Sequence, residues 1–176
     1  MSRRIILVRA VNVGGTARLP MAQWRDLAES LGATEVSSHI ASGNLLCNPP
    51  GPAENFDRAL EAAVQTRFGF FREVISRSRE EVLAALEAHP FEELDPRFSY
   101  ISFLQSAPTA EAVQAAALLE TGDDRWQVID REMHLRYADG AGSPQMKEPT
   151  ISRVLGVTGT ARNLNTVRKL LDLSDV

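Results

Sequence analysis

At 176 residues the chain is long for one small domain and short for two large ones, and a chain of this size buries roughly 70% of its unfolded surface without disulfide or metal staples. Its hydrophobic share of 44% and charged share of 24% sit at globular averages and exclude the disordered and fibrous classes. The formal net charge of −4 argues against general nucleic-acid binding through phosphate neutralisation, leaving only a local basic patch for that role.

The first apolar run, Ile5 to Val8 behind two arginines, is too short for a signal-peptide core, and no other run approaches the ~18 apolar residues of a membrane span. One cysteine, Cys47, makes no internal disulfide and suits a reducing compartment. A cytoplasmic protein away from the membrane is expected. Apart from Lys147 and Lys169 the cations are arginines, which suit bidentate oxyanion binding, although a GC-rich genome produces the same bias.

In chain order, Ile5 to Val11 reads as a strand covered on both faces, broken by Asn12-Val13-Gly14-Gly15. Pro20 fits the first turn of a helix whose apolar face is Met21, Trp24, Leu27, Ala28 and Leu31, stopped by Gly32. Val36 to Ile40 and Leu45 to Cys47 form a hairpin around Ser42-Gly43. After the rigid Pro49-Pro50-Gly51-Pro52, a helix carries Phe56, Leu60, Ala63, Val64 and Phe68 and ends at Gly69. Phe70 to Ile75, aromatic and β-branched, supplies a fourth strand. Ser78 and Glu81 make an S-x-x-E capping box for a linking helix that Pro90 closes.

The same order then recurs. Phe98 to Leu104 is a strand, Thr109 caps an alanine-rich helix to about Glu120, and Trp126–Ile129 with Met133–Tyr137 form a hairpin through Asp130-Arg131. A helix from Pro149 to Leu155, a short strand after Gly156, and a terminal helix capped by Asn163 complete the chain. The fold class is therefore α+β: two consecutive βαββαβ units, ferredoxin-like, spanning residues 1–78 and 97–176, with a linking helix and loop at 79–96 and a C-terminal helix. The repeated element order suggests a duplication without visible sequence identity.

Three segments together carry a resemblance: Arg9-x-x-Asn12-Val13-Gly14-Gly15 with Leu19-Pro20-Met21, then Ser42-Gly43-Asn44, then Thr160-x-Arg162-Asn163-x-Asn165-Thr166. The chain resembles the bacterial family numbered sixteen ninety-seven among the domains of unknown function, over nearly its whole length. The resemblance implies ferredoxin-like repeats and no established activity. Where the family pattern usually has glycine after the motif arginine, this chain has Ala10.

Candidate chemistry follows from the same segments. At the start of the last helix, Arg162, Asn163, Asn165 and Thr166 combine free N–H groups, a helix dipole and a guanidinium, a set suited to phosphate or carboxylate; alternatively Asn163 only caps and Arg162 pairs with Asp139 or Glu148. Gly14 and Gly15 let backbone approach a ligand or simply satisfy a turn, and neither a P-loop nor a dinucleotide fingerprint is present. Asn44 closes a hairpin turn or offers its amide to a site shared with Asn12. The resulting expectation is a small phosphorylated or carboxylated ligand at the start of the C-terminal helix, held bidentately by Arg162 and lined by Arg9, Asn12, Gly14, Gly15, Asn44, Asn163, Asn165 and Thr166.

Other residues read more plainly. Cys47 in a central strand is an inert small hydrophobe. His39, His89 and His134 are scattered, without metal-ligand spacing, so no metal and no cofactor are expected. Glu80-Glu81 and Glu92-Glu93 are solvated faces and caps. Phe98 and Tyr100 alternate along a strand as RNA-stacking rings do, but without the RNA-recognition motif they read as packed core, and RNA or a protein partner on an open sheet face is the weaker alternative. An enzyme using the same polar pocket is the other alternative, restricted to electrostatic or proton-transfer chemistry because no nucleophile and base stand together in the sequence.

Overall fold

The computed structural model describes residues 3–175. Two compact units are present, Met1–Val82 with Leu170–Val176, and Leu83–Lys169.

The first unit runs β1 (Arg4–Val8), α1 (Met21–Ser30), β2 (Thr34–His39), β3 (Asn44–Asn48), α2 (Ala53–Phe68) and β4 (Val74–Ser78). Its strands pair antiparallel in the order β2-β3-β1-β4. The central position of β1 explains its continuous apolarity. Ile6 and Val8 enter a core with Trp24, Leu45, Cys47, Phe56, Leu60, Val64 and Val74, while Ile5 and Leu7, which alternate to the other face, are buried as well. The strand stops at Val8 and not at Val11 because Ala10 and Asn12 take positive φ, of 49° and 56°, which ends an extended run.

Two further boundaries differ from the sequence pattern. Pro20 is the extended N-cap of α1 and not its first helical residue. The fourth strand is Val74–Ser78 and not Phe70–Ile75. Phe70 stacks instead on Phe68 at the end of α2, centroids 6.0 Å apart, and the polar Ser76 is accepted in the strand because its hydroxyl donates to Asp57 at 2.8 Å.

Cys47 is fully buried in β3, and burial pushes its thiol up to about 12. Thiol reagents at pH 8 should leave the native protein unlabelled. Rapid stoichiometric modification without denaturant contradicts the placement of β3 inside the sheet.

Between the two element sets lies α3 (Arg79–Glu87). Its capping box is formed: Glu81 N donates to Ser78 Oγ at 3.1 Å, and Ser78 N donates to Glu81 Oε2 at 2.7 Å. The second set is β5 (Ser99–Leu104), α4 (Ala110–Ala116), β6 (Arg125–Ile129), β7 (Glu132–Arg136), α5 (Glu148–Leu155) and β8 (Gly159–Asn163), followed by α6 (Leu164–Ser174). Its sheet order β6-β7-β5-β8 repeats that of the first, so a ferredoxin-like βαββαβ arrangement occurs twice. Thr109 caps α4 by accepting from Ala112 N at 3.1 Å. This helix is shorter than the alanine run suggests, ending in tighter i to i−3 turns at Leu118 and Leu119.

One face of the second sheet carries Leu104, Met133, Leu135 and Tyr137 into a core with Ile151 and Leu155. The opposite face is also buried but mixed, with Ser99, His134, Thr160 and Arg162 among Ile101 and Phe103. No helix among the described residues is long and apolar enough to cross a membrane.

Candidate functional site

The loop after β1 is built on unusual backbone. Ala10, Asn12, Gly14, Gly15 and Ala17 all have positive φ, and so do Ile40 and Gly43 in the neighbouring turn. Such conformations cost non-glycine residues energy and persist only where the surroundings enforce them. Asn12 does the enforcing. Its Nδ2 donates to Leu19 O at 2.8 Å and to Ala41 O at 2.7 Å, and its Oδ1 accepts from Leu19 N at 2.8 Å. One side chain thus ties the 9–19 loop to the 40–43 turn, with buried Leu19 as its anchor.

Asn44 braces the turn from the other side. It is fully buried, and its Nδ2 donates to His39 O at 3.0 Å and Ser42 Oγ at 2.9 Å. Gly43 is required between them, since a Cβ there would lie 2.2 Å from Val8 Cγ1. By contrast, Gly14 and Gly15 face open space, with nothing within 4 Å of a built Cβ. Among the described residues their amides have no backbone partner.

Three arginines lie in or next to this loop. Arg9, with its side chain 48% exposed, lies 3.5 Å from Glu73. Arg72 donates from Nε to Ala10 O at 3.4 Å, its guanidinium 5.6 Å from the Phe70 ring centroid. Arg18 is exposed beside them in sequence. Val13, Ile40 and Phe71, three of the exposed large hydrophobics, lie in the same loop, turn and pre-β4 segment.

The strained position of Ala10 is testable alone. Ala10→Gly should stabilise the protein by about 0.5–1 kcal/mol, since glycine adopts this φ without the Cβ penalty. Urea unfolding at neutral pH reads the difference, and an unchanged or lowered midpoint contradicts the strain.

The motif at the start of α6 is arranged differently from the sequence expectation. Asn163 caps the helix, its Oδ1 accepting from Thr166 N at 3.0 Å. Arg162 is the preceding strand residue and alternates to the opposite side, with Nη1 donating back along β8 to Thr160 Oγ1 at 2.8 Å and Ala161 O at 2.9 Å. Burial pulls its guanidinium down to about 10. Asn165 is exposed and Thr166 half-buried. Of the nine candidate residues, Arg9, Asn12, Gly14, Gly15 and Asn44 therefore lie at one end of the first unit, and Arg162, Asn163, Asn165 and Thr166 follow each other in the second.

Two polar clusters went unread in the sequence. Asp57 on α2 is 7% exposed, accepts from Ser76, and has its Oδ1 buried without a partner. Burial pushes its carboxyl up to about 6, against smaller lowering by the Ser76 bond, Arg4 and Arg58. Glu61, one turn on, accepts from Val74 N at 2.9 Å and lies 3.0 Å from Arg58. The only signal in the sequence was two carboxylates at i, i+4 flanking an apolar stripe. The second cluster corrects the expectation that the histidines are scattered: His89 and His134 meet with their Nδ1 atoms 3.0 Å apart. Among the described residues no three metal-ligating side chains gather.

The aromatic pair Phe98 and Tyr100 is packed. Tyr100 meets Tyr137 edge-on at 5.7 Å and joins the second core, and Phe98 lies under Gly140, where a Cβ would come within 2.9 Å of its ring.

The solved structure described as that of conserved bacterial protein SP0830 from Streptococcus pneumoniae resembles this fold with a TM-score of 0.78, covering 99% of both chains at 21% identity. At that identity the likeness speaks to the fold alone. No functionally curated protein matches the chain. The family model described as "Protein of unknown function (DUF1697)" matches residues 1–134 and so takes in the Arg9–Gly15 and Ser42–Asn44 motifs, and the chain belongs to that family.

Proposed function

We propose that this cytoplasmic protein binds a small phosphorylated or carboxylated ligand at the loop end of its first unit. Gly14 and Gly15 present their amides to the anion, Arg9 neutralises it, and Asn12 and Asn44 hold the loop in its binding shape. The observation that carries this reading is the run of positive-φ residues enforced by the Asn12 amide, with open space above Gly14 and Gly15. A chain that maintains strain in an exposed, arginine-flanked loop gains a preorganised set of N–H donors from it. The free cysteine supports a reducing compartment.

Titration calorimetry with inorganic phosphate, a phosphorylated sugar and citrate tests the proposal. Arg9→Ala should weaken binding roughly tenfold, as expected for a charge-assisted hydrogen bond, while changing stability by no more than about 0.5 kcal/mol because the Glu73 pair is exposed. Binding of equal strength in wild type and Arg9→Ala would exclude Arg9 from the site.

A further inference from the structure

His89, just beyond the end of α3, and His134, in the middle of β7, bring their Nδ1 atoms to 3.0 Å with ring centroids 5.1 Å apart. That centroid distance is nearly the N···N distance plus two ring radii, so each Nδ1 points at the other. In such a pair one neutral ring donates and the other accepts. The outer nitrogens, Nε2 of both rings, are buried without a partner. A first added proton enters on the Nε2 of the donor ring and leaves the shared hydrogen bond intact. A second must take the accepting Nδ1, and two N–H groups then face each other at 3.0 Å.

The surroundings favour the neutral pair. Burial lowers His134 to about 4, with His89 adding to the effect, and lowers His89 despite the nearby Glu93. Glu93 itself is engaged by Arg168 of α6 at 2.5 and 3.0 Å. On β7 the charged neighbours in sequence are Glu132 and Arg136; on β8 Arg162 lies in the same row, through the register His134–Ile101–Arg162. The positions opposite His134, Ile101 on β5 and Gln127 on β6, do not titrate, and the next residue on that face of β6 is a cation, Arg125, opposite Arg136. Phe91 packs edge-on against His89 at 5.6 Å.

We propose that the His89–His134 pair is an acid-sensitive clasp that holds residues 88–92, the segment leaving α3, against the second sheet and releases it on double protonation. The Glu93–Arg168 ion pair is a second tie that limits the release to those residues, because Arg168 holds the Glu93 carboxyl below its ordinary range.

The test is NMR on the full chain, combining histidine ring-nitrogen shifts with backbone amide exchange from pH 7.5 to 4. The expected result is two rings that stay neutral below the ordinary histidine range and, after correction for intrinsic rates, at least tenfold faster exchange by pH 4.5 at Ala88 and His89, whose amides donate to Ala84 O and Leu86 O. The amides of the β5–β8 ladders should hold their protection. His134→Gln should remove the pH dependence of the 88–92 segment; should that variant fold poorly, His89→Gln, which removes the less buried partner of the pair and leaves the Glu93–Arg168 tie in place, should remove it in the same way. Either ring titrating near the ordinary histidine value without segment opening, or ladder amides losing protection in step with 88–92, overturns the clasp.

Discussion

Asp57→Asn should make the protein more stable than wild type at pH 7.5, by about 2 kcal/mol, with the advantage vanishing by pH 4. The Asp57 carboxyl is raised from 3.8 to about 6 in the folded protein, first of all by burial, and its Oδ1 has no partner. Between those values the native state binds a proton that the unfolded chain has released, so the stabilising contribution of Asp57 is complete below pH 3.8 and is lost as the pH rises through 6. The full swing is on the order of 3 kcal/mol; the amide forgoes part of it because its NH2 is buried without an acceptor. Urea unfolding of both proteins at pH 7.5, 6 and 4 reads the difference directly, which also removes contributions from other groups such as the histidine pair. A variant less stable than wild type at pH 7.5 would show that the charged carboxylate is favourable where it stands.

Arg162→Ala should cost about 3 kcal/mol. Arg162 is 8% exposed and donates to the buried Thr160 Oγ1 and to the part-buried Ala161 O, so truncation leaves a void and removes the donor of a buried hydrogen bond. Arg162→Met, which keeps most of the volume, should recover part of that loss. Neither variant should alter phosphate binding, because the side chain runs back along β8 and away from the capped start of α6. A mild destabilisation together with a tenfold loss of anion affinity contradicts this and returns Arg162 to a binding role.

The fold was largely legible because local signals and the element order agreed. Gly69 and Gly156 stop their helices in the left-handed conformation, Ser78-x-x-Glu81 caps α3, and the unbroken apolar run of β1 matches its place inside a sheet. The fourth strand was misplaced because Phe70 and Phe71 look more strand-like than Ser76 and Arg77, and only the tertiary partner Asp57 makes the serine acceptable there. Long-range pairing also hid the clasp: 45 residues separate His89 from His134, and nothing in the spacing joins them. At the candidate site the motif residues were visible but their division of labour was not. Asn12 and Asn44 direct their amides to backbone carbonyls and Ser42, while Arg9, beside Glu73, and Gly14 and Gly15 stay exposed.

Amide chemical shifts during a phosphate titration of the 15N-labelled protein test the anion site most directly. Saturable shifts are expected at Gly14 and Gly15, with smaller movements along the 9–18 loop, and a roughly tenfold weaker affinity in Arg9→Ala. Shifts confined to the 163–166 amides at the start of α6, or none in the 9–18 loop at millimolar phosphate, a phosphorylated sugar or citrate, would contradict it.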